Sequence, residues 1–324
     1  MTVESSGSAY IVGWGAEHPA GRLTNADLVA RLDTTNEWID RHVGISERRI
    51  SLAGDTVASL GAAALAAALD RAGLAIPDVD LLIGATAFDD HDMPAAAARI
   101  ADAAGSSAFT FDVRAACSGW PVGVEVARAM LAAGGTDTVA VVASDRTGPN
   151  VDPDDRASVV FFGDAAGATI VTTRPRPGRP ALLVVDTEWH ADNTEHGAVR
   201  IAHGDSFAMD GAATRRWVEK AMNDAAGQVL TRNGIRPEEL RALVCHQANL
   251  RLLERFAAGL GVAPDRHWHN VEWAGNTGAA GAPTSLAQGL DAPGTEMRDG
   301  DHVLVVTVGA GLNVVATLLR WVAP

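Results

Sequence analysis

The passage Arg71-Ala-Gly73-Leu74, Pro77, Asp80-Leu-Leu-Ile83 returns in the second half of the chain as Arg232-Asn-Gly234-Ile235, Pro237, Arg241-Ala-Leu-Val244. Each copy reads as a helix end, a glycine stop, a proline turn and a short apolar strand. A glycine just past a helix supplies the left-handed cap that stops it. The echo continues outward in the same order. Ala95–Gly105 and Leu250–Gly261 both read as helical segments ending in glycine. Phe111-Asp-Val-Arg-Ala-Ala-Cys117 and Asn270-Val-Glu-Trp-Ala-Gly-Asn276 both read as a strand-like lead into a small-residue turn and a further helix. Asp137–Ser144 matches Asp301–Thr307. Four correspondences in one order predict an internal duplication, with halves at residues 1–172 and 173–324. The proline-rich stretch Arg174–Pro180 lies at the seam.

Short β-branched runs alternate with alanine-rich helical stretches, which predicts an α/β fold. Strands are expected at Ala9–Val12, Leu81–Ala85, Val139–Ala143, Val159–Phe162, Leu182–Val185, Leu243–Cys245 and Val303–Val308, and the clearest helices at Ser59–Ala72 and Ala213–Arg232. With 324 residues, 47% hydrophobic and 20% charged, the chain can bury a large core. A net charge of −14, with Lys220 as the sole lysine, argues against nucleic acid as a partner, because phosphate-backbone binding needs clustered cations. Two cysteines make no disulfide framework and no structural zinc site. No apolar stretch is long enough for a bilayer and no leader is evident, so no membrane is expected and the cytoplasm is the expected location.

Cys117 lies in Ala115-Ala-Cys-Ser-Gly-Trp120, ahead of the helical run Val122–Leu131. Unpaired N–H groups and the helix dipole at such a position favour a thiolate. A packed, inert cysteine is the alternative. His246 follows an apolar strand, where α/β folds put their chemistry. Asn276 sits in Ala274-Gly-Asn-Thr-Gly-Ala279, whose glycines let a ligand approach the backbone. Asp89, Asp90, His91 and Asp92 could be taken for a metal cluster, but such a loop reads more simply as a solvated turn, and no metal is expected. Cys245 reads as a small buried strand residue.

These segments resemble the β-ketoacyl-acyl-carrier-protein synthase III family of the thiolase superfamily along essentially the whole chain. Thr34-Thr-Asn-Glu-Trp38-Ile and Gly44-Ile-Ser-Glu-Arg48-Arg-Ile50 come first. Phe111–Gly119, Asp155-Arg156 with Phe162-Gly-Asp-Ala-Ala-Gly-Ala168, His246-Gln-Ala-Asn-Leu-Arg251, Gly275-Asn276-Thr277, and Gly309-Ala-Gly-Leu312 with Leu318-Leu-Arg-Trp321 follow in family order. The resemblance implies a five-layered αβαβα thiolase-like fold of two pseudo-symmetric halves, with Cys117, His246 and Asn276 as catalytic residues. Cys117 would take an acyl group from acyl-CoA. His246 and Asn276 would stabilise the enolate formed from a malonyl thioester as CO2 leaves, and the Cys117 and Ala310 N–H groups would form the oxyanion hole.

It further implies that Trp38 and Arg156 hold the CoA adenine, that Asn249 lies near the pantetheine arm, and that Met93 and Trp120 shape the acyl pocket, Met93 from across a homodimer. Arg215, Arg216, Arg251 and Arg255 would dock an acyl carrier protein. Acyl-CoA enters as substrate, with no resident cofactor. His42 replaces a usual arginine, Arg114 a usual small residue, Trp120 a usual phenylalanine, and Ala258 and Gly259 frequent lysines. These departures favour polyketide or other secondary metabolism over housekeeping fatty acid synthesis. Non-condensing transfer to an oxygen, nitrogen or sulfur nucleophile, and a non-catalytic ketosynthase partner subunit, are the alternatives.

Overall fold

In a computed structural model, residues 7–324 are described, apart from the side chains of Ala212, Ala213 and Arg216. The first half runs β1 (Tyr10–Glu17), α1 (Asn36–His42), α2 (Val57–Ala72), β2 (Leu81–Ala85), α3 (Ala96–Ala104), β3 (Phe109–Val113), α4 (Gly119–Ala133), β4 (Thr138–Asp145) and β5 (Ala165–Thr172). The second runs β6 (Ala181–Ala191), α5 (Gly211–Asn233), β7 (Leu240–Cys245), α6 (Leu250–Leu260), β8 (His267–Trp268), α7 (Gly281–Asp291), β9 (His302–Gly309) and β10 (Asn313–Val322).

Hydrogen bonding joins ten strands in the order β8-β7-β9-β10-β6-β1-β5-β4-β2-β3. In the first half β2 lies parallel to β3 and β4, and β5 runs antiparallel to β4 and β1. In the second, β7 lies parallel to β8 and β9, and β10 runs antiparallel to β9 and β6. The two halves therefore repeat one strand order and one set of directions. Their strand ladders join where Tyr10 and Ile11 face Leu183 and Leu182. The seam drawn at residue 172 falls at the end of β5, before the connection to β6.

Three apolar clusters separate five layers. Leu60, Ala64 and Ala68 of α2 and Ile100 of α3 cover the outer face of the first half. Met222 and Val229 of α5, with Leu253 and Phe256 of α6, cover the outer face of the second. Between the sheets, Trp120 and Val124 of α4 and Leu286 of α7 pack on Ile83 and Val141 from one half and on Val244 and Val305 from the other. Strands covered on both faces read as unbroken apolar runs. β4 accordingly alternates Val139, Val141 and Ala143 toward the central helices with Ala140 and Val142 toward the outer ones.

Helix ends follow the sequence closely. Gly73, Gly105 and Gly261 cap α2, α3 and α6 in the left-handed region, and Gly234, just past α5, has φ 67°. Two strand assignments change. Val159–Phe162 is no strand: it coils through the turns Val159 N–Asp155 O and Phe161 N–Ser158 O and keeps a single bridge, Phe162 to Asn276. The buried Arg48 guanidinium takes the Val160 carbonyl that a ladder would need. The true strand is Ala165–Thr172, whose small residues hid it. In the second half, the expected strand-like lead is the short helix Val271–Ala274, and the strand lies earlier, at β8.

The alanine-rich face of α2 meets strand backbone without intervening side chains. A Cβ on Gly13 would stand 2.1 Å from the Ala68 carbonyl oxygen, and one on Gly15 would stand 2.3 Å from that of Ala64. Gly15→Val should therefore lower unfolding stability by roughly 1–3 kcal/mol through overpacking. Urea denaturation measures this, and an unchanged midpoint would refute the close approach.

Candidate active site

The chain leaves β3 at Val113 and turns at Ala116, a non-glycine residue held at φ 47°. Such a residue stores strain, and strain of this kind clusters at functional turns. One 3₁₀ turn, Ala116–Ser118, then leads into α4, placing the half-buried Cys117 just before the first helical turn. Gly309 allows the end of β9 to press against this turn, since a Cβ there would lie 2.4 Å from the Ala115 carbonyl oxygen. Ala310 enters the cavity wall in consequence.

His246 follows β7 and is buried, its N–H bonded to the Val306 carbonyl at 2.8 Å. Gln247 ties this turn to the next segment: its Nε2 donates to Cys245 O at 2.6 Å, and its Oε1 accepts from the Asn270 and Val271 N–H groups. Asn276 is anchored through its backbone, its N–H donating to Phe161 O at 2.7 Å and its carbonyl accepting from Gly163 at 2.9 Å. Its Oδ1 accepts the Gly278 N–H at 3.1 Å, leaving Nδ2 as the free donor of the amide. Cys117, His246, Asn276 and Ala310 all line one cavity of about 840 Å³. The three side chains singled out from the sequence thus converge from both halves of the chain.

Burial disfavours charge here. It pushes the Cys117 thiol up to about 12, helped by the nearby Asp145 carboxylate and opposed by the residue's own N–H. Burial likewise lowers His246 to about 4, and its Nδ1 has no partner among the described residues. Burial thus favours the neutral thiol and the neutral imidazole, opposite in direction to the thiolate that the helix-end position favours. Asp145, fully buried at the end of β4, is raised by burial to about 7 against the pull of four backbone N–H groups. Arginines 114, 200, 215 and 255 line the cavity against Glu219 alone. The chain is acidic, but this wall is not.

Other residues fall in several places. Trp38 is 40% exposed, with the Arg156 guanidinium 5.9 Å from its ring centroid and His42 stacked on it at 4.9 Å. Neither Trp38 nor Arg156 lines the cavity, but Asn249 does. Its Nδ2 donates to His42 O at 3.0 Å and its Oδ1 caps α6 through Leu252 N, fixing α1 beside the cavity. Trp120 does not line the cavity: it sits in the central core, with Nε1 donating to Thr169 at 3.1 Å. Met93 is 79% exposed and also lies outside the cavity wall.

Arg215 and Arg255 line the cavity, with Arg255 3.6 Å from Glu219. Arg251 is engaged by Asp40 at 3.0 Å and Glu254 at 3.1 Å. The Arg216 side chain lies outside the described residues. Asp89 and Asp90 both pair with Arg99, and their ligand atoms lie within 4.8 Å of each other and of that of His91. Cys245 is buried. Sequence reasoning gave no role to Asp145, nor to Gln247 and the buried Arg48 within the motifs that contain them. The one available signal was a carboxylate closing an otherwise apolar strand.

The fold is that of the thiolase superfamily. The structure superposes on 3-oxoacyl-[acyl-carrier-protein] synthase III from Aquifex aeolicus with a TM-score of 0.89, at 30% identity over 96% of this chain and 99% of that one. It superposes on the priming β-ketosynthase of a polyketide biosynthetic pathway with a TM-score of 0.88, at 29% identity over 96% of each chain. The family models for 3-oxoacyl-[acyl-carrier-protein] synthase III match residues 111–193 and, as its C-terminal part, 230–321. A β-ketoacyl-[acyl-carrier-protein] synthase III of Roseiflexus sp. is 33% identical over 97% of this chain and 99% of its own length. The chain belongs to the β-ketoacyl-acyl-carrier-protein synthase III family, a group of condensing acyltransferases. No helix among the described residues is long and apolar enough to cross a membrane.

With Cys117 near 12 and His246 near 4, iodoacetamide should alkylate Cys117 ever faster as pH rises from 6 to 10, in proportion to the growing thiolate fraction. Peptide mass spectrometry follows the adduct. A rate that levels off near pH 6 would instead reveal a thiolate–imidazolium pair.

Proposed function

We propose that this chain is a ketosynthase that accepts an acyl group from acyl-CoA on Cys117 and condenses it with a malonyl thioester. The observation carrying this reading is the single cavity that presents a cysteine, a histidine and an asparagine whose Nδ2 is free to donate. A thioester exchange alone would need the first two. The carboxamide adds a donor for a second carbonyl oxygen, which is what a developing enolate requires.

In the first step the Cys117 sulfur attacks the acyl-CoA carbonyl and CoA leaves as its thiol, carrying the proton that Cys117 gives up. The neutral imidazole of His246 can relay that proton, because a lowered pKa keeps a lone pair available at neutral pH. The Cys117 and Ala310 N–H groups hold the tetrahedral oxyanion. In the second step the malonyl thioester loses CO2, its enolate oxygen held by His246 and Asn276. The enolate carbon then forms the new C–C bond at the acyl carbonyl. Cys117 departs as thiolate and takes up one proton, restoring the enzyme. The chemistry needs no resident cofactor.

Trp38 and Arg156 form the adenine clamp in this reading, since an aromatic face and a planar guanidinium suit a purine. The arginine-lined wall attracts the phosphates of CoA or of a carrier protein. Arg215 and Arg255 serve docking better than Arg251, which is held by two carboxylates at closer range than the one that meets Arg255. The pathway is polyketide or other secondary metabolism, supported by Arg114 beside the nucleophile and by the likeness to a priming ketosynthase. A homodimer completes the enzyme: edge strand β3 leaves Phe109 74% exposed, and Met93 stands free nearby in sequence on the β2–α3 connection.

Cys117→Ala should take up no acyl group from any acyl-CoA, as measured by intact mass. Asn276→Ala should acylate normally yet release CO2 about a hundredfold more slowly, the usual loss on deleting one oxyanion donor. Product formed without CO2 or a new C–C bond would defeat condensation in favour of plain transfer. Trp38→Ala should raise KM for acyl-CoA several-fold, roughly the weight of one aromatic contact, with kcat unchanged in steady-state assays.

A further inference from the structure

Resting on the condensation proposed above, we infer that Asp145 is the positioning residue of the second step, holding the Asn276 amide at the cavity wall. Its carboxylate is buried, and its two oxygens serve different segments. Oδ1 accepts the Ala87 and Phe88 N–H groups, each at 2.6 Å. Oδ2 accepts those of Ala279 at 2.7 Å and Ala280 at 3.2 Å. The first pair belongs to the wall of the cavity. The second belongs to the 3₁₀ turn that follows Asn276 and opens α7.

The carboxylate fits there because residue 278 is glycine. A Cβ at Gly278 would lie 2.8 Å from the Asp145 Cγ. That same Gly278 supplies the N–H bonded to Asn276 Oδ1. The order of support is therefore the Asp145 carboxylate, the turn Gly278–Ala280, the Gly278 N–H and the Asn276 amide, whose Nδ2 then faces its work. Cys117 and His246 stand on other supports: the Gly309–Ala115 approach and the Val306 carbonyl. Asp145 thus positions one partner of the site, and its charge bears on a second by favouring the protonated Cys117 thiol; removing that charge should not slow acylation.

Asp145→Asn preserves shape but turns one oxygen into an NH2 donor. Whichever way the amide lies, one pair of N–H groups then meets N–H instead of an acceptor. Acylation of Cys117 by acyl-CoA, read by intact mass, should stay within about threefold of wild type. CO2 release by the acyl-enzyme should fall at least about tenfold, in line with losing buried hydrogen bonds. Amide exchange should quicken in peptides covering 276–281 and not in those covering 36–42. Gly278→Ala, which presses on the carboxylate, should give the same split. Unchanged exchange at 276–281, or acylation and CO2 release falling together, overturns the inference. Wild-type protein that acylates without releasing CO2 defeats the condensation reading instead, and the exchange result alone then sustains or overturns the tie from Asp145 to Asn276.

Discussion

Two helices between two sheets set everything else in this molecule. α4 and α7 pack against Ile83 and Val141 on one side and Val244 and Val305 on the other, so neither half can bury its inner face without its counterpart. An apolar layer shared in this way fixes the distance between the sheets to within side-chain packing tolerance. Because the nucleophile turn leads into α4 and the asparagine turn leads into α7, that same layer brings Cys117 and Asn276 to one cavity wall. Site geometry here is a by-product of core packing.

In the cavity that results, burial acts on proton affinities in ways a surface view would miss. Burial holds Cys117 as a thiol and His246 as a neutral base. The uncharged form of each group is the one burial favours. Hydrogen-bond donors already fixed in place need no reorganisation when charge develops. The strained Ala116, the close approach of Gly309 and the anchored amide of Asn276 fix the backbone and the amide at the cavity wall.

Much of the fold was legible because both faces of each sheet are covered. Covered strands such as Leu81–Ala85 become continuous apolar runs, and helix stops such as Gly73 and Gly261 need a left-handed residue. Legibility failed where small residues formed a strand, at Ala165–Thr172, and where an apolar run served the cavity instead of a ladder, at Val159–Phe162. Phe161 and Phe162 line the cavity wall, so their hydrophobicity carried no strand information. Trp120 looked like a pocket residue by position, yet its ring lies in the central core, bonded to Thr169.

The sequence by itself determined the α/β class and the repeated order of elements, because glycine stops, apolar runs and small-residue turns are local necessities of backbone geometry, and its resemblance to the family pointed to Cys117, His246 and Asn276. Only the tertiary structure decided the burial of Cys117 and His246, the orientation of the Asn276 amide and the place of Asp145 beneath it. Those properties depend on what surrounds a group in space, and burial and hydrogen-bond partners come from segments that the chain brings together only on folding.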